Sequence, residues 1–131
     1  MAATKERKIA SPEPTVGSEA YWEGARNGKL LLRHCTSCDR VHHYPRALCP
    51  HCFSDKLDWK EASGKGKIYT YSVMRRAPEP YVIAYVTLDE GVSMMTNIVD
   101  CDFDKVRIDQ PVKVVFKASE NGQPVPMFTP A

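Results

Sequence analysis

Cys35 and Cys38, then Cys49 and Cys52, form two pairs with two residues inside each pair and ten residues between them. A thiolate binds Zn²⁺ at about 2.3 Å, and a two-residue spacer lets both sulfurs of one tight knuckle reach the same ion. Four such ligands close a tetrahedron. No coordination position is then left for water or substrate, so the implied metal is structural. Iron accepts the same four thiolates and stays open as an alternative to Zn²⁺.

Other uses of paired cysteines fit less well. A disulfide framework belongs to secreted domains, whereas Met1 to Ser11 is polar and charged without the apolar segment of a secretion signal. The expectation is a reduced, cytoplasmic chain. A redox pair of this spacing is normally single and sits between a strand and a helix; here it is doubled, and no helical run follows Cys38. Cys101 stands alone among Asp100, Asp102 and Asp104, whose charge suppresses a thiolate, and is read as a bystander. His34, His42, His43 and His51 crowd the same stretch as the pairs. Four cysteines already complete a site, so the histidines are read as surface groups or as groups around the metal. No nucleophile elbow and no complete phosphate-cradling glycine motif occurs, and no catalytic residue is assigned.

The elements that must hold these cysteines can be read from the pattern. With 131 residues and 43% hydrophobic content, the chain can build one core, or a small core with a metal-held satellite, and the second fits better. No apolar run approaches the roughly 20 residues of a membrane helix. Residues 1–28 read as an N-terminal arm and helix, 29–60 as a zinc ribbon and 61–131 as a barrel domain. Pro12 and Pro14 among charges suggest that residues 1–16 are a flexible lead, or an arm that orders on a partner. Ser18 as N-cap, Glu19 in the first turn and Gly28 past the end predict a short helix over Glu19 to Asn27. Its face of Tyr21, Trp22 and Ala25 must dock on something, either this chain's own body or another chain. The ribbon is expected to carry short strands at Leu30 to Arg33 and Val41 to Tyr44.

After Trp59 come β-type runs separated by turn residues: Lys67 to Arg75, Tyr81 to Leu88, Val92 to Val99, Val112 to Lys117 and one near Val125 to Phe128. In the fourth, Val112, Val114 and Phe116 face inward and Lys113 and Lys117 outward. Tyr69, Tyr71 and Val73 share one face of the first, with Tyr81 and Tyr85 opposite; they fill the barrel, or line an acyl channel or an interface. The stretch Pro124 to Pro130 is a last strand or an arm reaching a partner. Five short strands with no long helix between them predict a small closed or partly closed barrel of the OB-fold type. The fold class is therefore mainly β.

Tyr21, Trp22 and Gly24, then Gly28 and Leu30, the two knuckles with Tyr44 and Arg46 between them, Trp59, Gly64, Gly66, Pro80, Gly91, Thr96 and Asn97 resemble one family along nearly the whole chain. It is the family catalogued as domain of unknown function thirty-five, whose members join an N-terminal helix and a rubredoxin-like zinc ribbon to a C-terminal OB-fold. Two positions depart from its pattern. Asp39 and Asp109 stand where glycine is common, and both fall at turns.

The resemblance implies a non-catalytic accessory subunit that joins a thiolase-like large subunit in a hetero-oligomer, stabilising the complex and shaping acyl-CoA binding. The partner would supply the catalytic cysteine and bases for carbon–carbon bond cleavage or formation, as in thiolases of aromatic degradation or retro-aldolases of steroid side chains. A CoA thioester shared with that partner would need cations for its phosphates, and Lys65, Lys67, Arg75 and Arg76, at the ends of the first barrel strand, are the local supply.

The rival class is a single-stranded nucleic-acid-binding module, since ribbons and OB-folds both serve it. Residues 61–131 carry eight Lys or Arg against nine Asp or Glu, and without a basic surplus the phosphate attraction that drives such binding is mostly missing. Residues 29–60 carry six basic and three acidic side chains, and a tetrathiolate Zn²⁺ site adds two negative charges.

Overall fold

The computed structural model describes residues 7–131; the lead expected over 1–16 therefore falls partly outside the described residues. The part inside is held by the barrel's own turns. Lys8 N donates to the Glu79 carboxylate at 3.1 Å, Glu120 N donates to the Ile9 carbonyl at 2.9 Å, and Asn121 N donates to Ser11 Oγ at 2.9 Å.

The single α-helix among the described residues, α1, spans Glu19–Arg26. Its C-terminus closes as the glycine predicts: Gly28 adopts φ 73, Lys29 N donates to the Gly24 carbonyl at 2.8 Å and Gly28 N to the Ala25 carbonyl at 3.1 Å. Its N-terminus differs from expectation. Ser18 makes no cap to the helix; its hydroxyl donates instead to the Thr15 carbonyl at 2.7 Å, which tightens the preceding turn. The apolar face docks on the chain's own body, with Tyr21, Trp22 and Ala25 buried in the common core.

The ribbon is a three-stranded antiparallel sheet in the order β2-β1-β3, from β1 (Leu31–Cys35), β2 (Val41–His42) and β3 (Leu57–Glu61). The pattern did not mark β3. Its Leu57-to-Glu61 run has two apolar side chains, and it becomes a strand by pairing with β1 from Leu31↔Glu61 to Cys35↔Leu57.

Five strands close the barrel in the order β4-β5-β6-β8-β7: β4 (Lys65–Met74), β5 (Tyr81–Leu88), β6 (Ser93–Ile98), β7 (Pro111–Ala118) and β8 (Pro124–Pro130). This is the OB-fold topology, closed by β4 against β7 and by one parallel pair, Ile98↔Phe128. The stretch Pro124 to Pro130 is thus a barrel strand. Val82, Ala84, Val86 and Leu88 of β5 alternate into the core against Ile68, Ile98, Val112 and Phe128.

A register shift in β4 between Ile68 and Thr70 corrects one expected face. The extra residue of a β-bulge rotates the side-chain alternation. Gly66 and Ile68 point inward before it and Tyr71 and Val73 pack inward after it, while Tyr69 is 68% exposed on the outside. Asp39 (φ 58) and Asp109 (φ 66) both occupy the left-handed region, which explains glycine as their common alternative.

Candidate functional site

The strand–knuckle–strand course of the ribbon brings all four predicted cysteines together. Cys35 ends β1, Cys38 lies in the turn after it, and Cys49 and Cys52 lie in the turn preceding β3. Their sulfurs all lie within 4.8 Å of one another, with Cys35 to Cys52 at 3.6 Å and Cys38 to Cys49 at 3.7 Å. A tetrahedron with bonds of about 2.3 Å has edges of about 3.8 Å, so the cluster has the dimensions of a Zn²⁺ tetrathiolate. Backbone amides point at it: His51 N donates to Cys49 Sγ at 3.3 Å, and amide donors led by that of Cys38 pull the Cys35 thiol down to about 6 against its burial. A thiol so favoured as thiolate is a ready metal ligand. Cys101 is remote from the cluster in sequence and fold. Its thiol donates to the Ile98 carbonyl at 3.7 Å, and burial, then Asp100 and Asp102, push its pKa up.

The histidines divide by environment. His34 Nδ1 contacts Asp58 at 2.8 Å and its Nε2 contacts Asp39 at 2.7 Å, and these bonds, Asp39 first, raise its pKa. His43 sits under α1 with its Nε2 2.9 Å from the Tyr21 hydroxyl, and burial lowers it to about 4. His42 is buried in the ribbon, and burial, then the charges of His51, Arg33 and Arg46, keep its pKa below the usual value. His51 is exposed in the second knuckle.

The four cations expected for CoA do not form one cluster. The ten-residue strand β4 separates Lys65 and Lys67 from Arg75 and Arg76 by roughly 26–36 Å of strand path. Arg75 is paired with Asp104 at 3.0 Å. Lys67 stands in register with Thr87, and Thr87 with Ser93, whose hydroxyls bond at 2.9 Å. Lys65 and Lys67 therefore lie at the barrel end nearer the ribbon.

The outer face of β4, β5 and β6 carries a row that the sequence pattern scattered between strands. Tyr85 (47% exposed) is in register with Met95 (58% exposed) on one side and with Thr70, beside the bulged Tyr69, on the other. Three large apolar side chains are thus presented side by side on one sheet face.

A cleft lies between the ribbon and the β5–β6 turn, with Arg40, His42, Arg46 and Lys60 on one wall and Glu90 and Ser93 on the other. These residues are spread over more than fifty positions, so spacing alone could not have assembled them. No helix among the described residues is long and apolar enough to cross a membrane.

Comparison with known proteins agrees with this geometry. Residues 22–58 match the family described as "ChsH2, rubredoxin-like zinc ribbon domain", and residues 59–117 match "ChsH2, C-terminal OB-fold domain". The chain is 35% identical, over 95% of its length, to a Thermomonospora curvata protein named probable enoyl-CoA hydratase alpha subunit, and spans 41% of that protein. It is 42% identical, over 67% of its length, to a Methanocaldococcus jannaschii DUF35 domain-containing scaffold protein, of which it spans 67%. A solved structure described as "Ltp2-ChsH2(DUF35) aldolase" superposes with a TM-score of 0.83 at 33% identity, covering 92% of this chain and 98% of that one.

Proposed function

Because the chain belongs to the ChsH2 family, in which a rubredoxin-like zinc ribbon precedes a C-terminal OB-fold domain, we propose that it is a non-catalytic accessory subunit of a thiolase-superfamily acyl-CoA enzyme. The names of its relatives, a hydratase subunit, a scaffold protein and an aldolase, support a role in assembling acyl-CoA enzymes. The observation that carries the reading is the outward row Tyr69, Tyr85 and Met95. Large apolar side chains gathered on one strand face are costly in water, and tyrosine is enriched where proteins meet. The partner's large subunit is the proposed occupant of that face, and the reacting groups belong to it.

Cys35, Cys38, Cys49 and Cys52 hold a structural Zn²⁺ in this reading. The ion supplies fixed tetrahedral geometry and folding energy, and the chain's residues do the rest: the knuckle amides stabilise the thiolates, and Tyr21 and Trp22 anchor the ribbon to the helix. One acyl-CoA could meet only one of the two cationic ends of β4. Lys65 and Lys67 are the better pair, since Arg75 is engaged by Asp104.

Affinity capture of the tagged chain from the cells that make it, with mass spectrometry and metal analysis of the eluate, tests the proposal. A thiolase-superfamily subunit and about one zinc per copy is the expected result. Recovery of RNA or DNA without an acyl-CoA enzyme would favour the single-strand reading, in which the exposed tyrosines stack bases.

A further inference from the structure

The cleft between the ribbon and the β5–β6 turn has a volume of about 780 Å³ and gathers permanent cations without neutralising them. Arg40, Arg46 and Lys60 have no ion-pair partner among the described residues. Of the two carboxylates that line the cleft, Asp39 is engaged by His34 at 2.7 Å. The other, Glu90, accepts from Ser63 N at 2.8 Å through Oε2, while its buried Oε1 has no partner among the described residues.

His42 is the second, independent sign. It is 4% exposed and lines the cleft, yet neither ring nitrogen has a hydrogen-bond partner among the described residues. An imidazole always carries at least one N–H donor, and buried polar atoms are normally paired, so an orphaned pair on a cleft wall points to a group that arrives from outside. The wall offers three fixed cations and an N–H donor, suited to a phosphate. It also offers one free carboxylate oxygen, suited to a hydroxyl or amino donor on the same molecule. A nucleotide has both.

We propose that this cleft binds the phosphate of a small nucleotide-bearing ligand, held by Arg40, Arg46 and Lys60 with His42 donating to it and Glu90 accepting from the ligand's sugar or base. The phosphorylated adenosine of an acyl-CoA has this chemistry, and its diphosphate would fall to Lys65 and Lys67, since the Lys65 carbonyl accepts from Asp89 N beside Glu90 at the same end of the barrel. Site and ligand belong to this chain alone and need no partner, so failure here would leave the subunit reading standing, and absence of a partner would leave this one standing.

Calorimetric titration of the zinc-loaded full chain with adenosine 3′,5′-bisphosphate, inorganic phosphate and a short single-stranded oligonucleotide tests it. The bisphosphate should bind saturably and about tenfold or more tighter than inorganic phosphate, and Arg46→Gln should weaken it roughly tenfold, the loss of one charge-assisted contact. Arg46 is exposed, so its replacement leaves the fold intact. Arg76→Gln, at the far end of β4, should change nothing. The proposal is overturned by bisphosphate binding no tighter than phosphate, by equal affinity in Arg46→Gln, or by an oligonucleotide that outcompetes the bisphosphate.

Discussion

Gln123, in the turn between β7 and β8, donates its buried side-chain amide to the Trp22 carbonyl of α1 at 3.1 Å, joining barrel to helix. The same tryptophan donates its indole N–H to the Tyr44 hydroxyl at 3.0 Å, joining helix to ribbon. The eight-residue helix is too short to persist alone, and here it is the wedge through which ribbon and barrel share one core.

Removing either side of that wedge should be costly in proportion to what is left unpaired or empty. Gln123→Ala removes the buried amide that ties the barrel to the Trp22 carbonyl, which keeps its donor within α1, and should destabilise by about 0.5–1.5 kcal/mol. Trp22→Ala should lose about 3–5 kcal/mol by opening a cavity between the two units. Denaturant melts of both variants, read by tryptophan fluorescence (through Trp59 in Trp22→Ala) and by circular dichroism, check the order.

Cys35→Ala should lose its metal, unfold the ribbon and weaken association, because the ribbon has few apolar side chains of its own to replace the ion. Cys101→Ala should keep about one zinc per chain. Metal analysis of the two purified variants decides the ligand assignment, and normal metal in Cys35→Ala would remove it. Colour decides the metal: ferric tetrathiolate absorbs visible light and Zn²⁺ does not.

How much of this was legible in the sequence follows from what each signal depends on. The cysteine pairs, the glycine past α1 and the alternation in β7 are local, and each reappears in the structure at its expected place. The strand β3 was not legible, because Asp58 and Lys60 interrupt a short apolar pattern and only its pairing with β1 makes it a strand. Tyr69 parts from Tyr71 and Val73 because one bulged residue resets a period-two pattern downstream, turning those two inward and leaving Tyr69 outside. Arg40, His42, Arg46, Lys60 and Glu90 meet only after ribbon and barrel are docked, so their common cleft has no signature in spacing.

Gly66 should tolerate no side chain. A Cβ there would sit 2.5 Å from the Thr87 carbonyl oxygen and 2.9 Å from a Val86 methyl, with β5 fixed in register on that side. Gly66→Ala is expected to cost about 1–3 kcal/mol, or more if β4 cannot shift, visible as a lower denaturation midpoint. Asp109→Gly, by contrast, relieves a left-handed residue and should be neutral to stabilising by a few tenths to about 1 kcal/mol.

Acid should loosen the wedge through His43. Its folded pKa is about 4 against an unfolded 6.5, so the unfolded chain binds the extra proton between those values. The contribution is full above about pH 6.5, falls as pH drops toward 4 and levels off below, with a total of up to about 3 kcal/mol. His43→Gln should flatten that part of the stability profile in chemical melts run from pH 4 to 7.

Native mass spectrometry of the captured assembly, comparing the unmodified chain with Tyr85→Lys, reads the central claim most directly. The unmodified chain should appear in a hetero-oligomer with a thiolase-superfamily subunit and one zinc per copy. Tyr85→Lys, a change on an already exposed position, should appear alone with its zinc retained. A partner held equally by both forms would contradict the docking face, and an unmodified chain recovered without any such partner would contradict the subunit role itself.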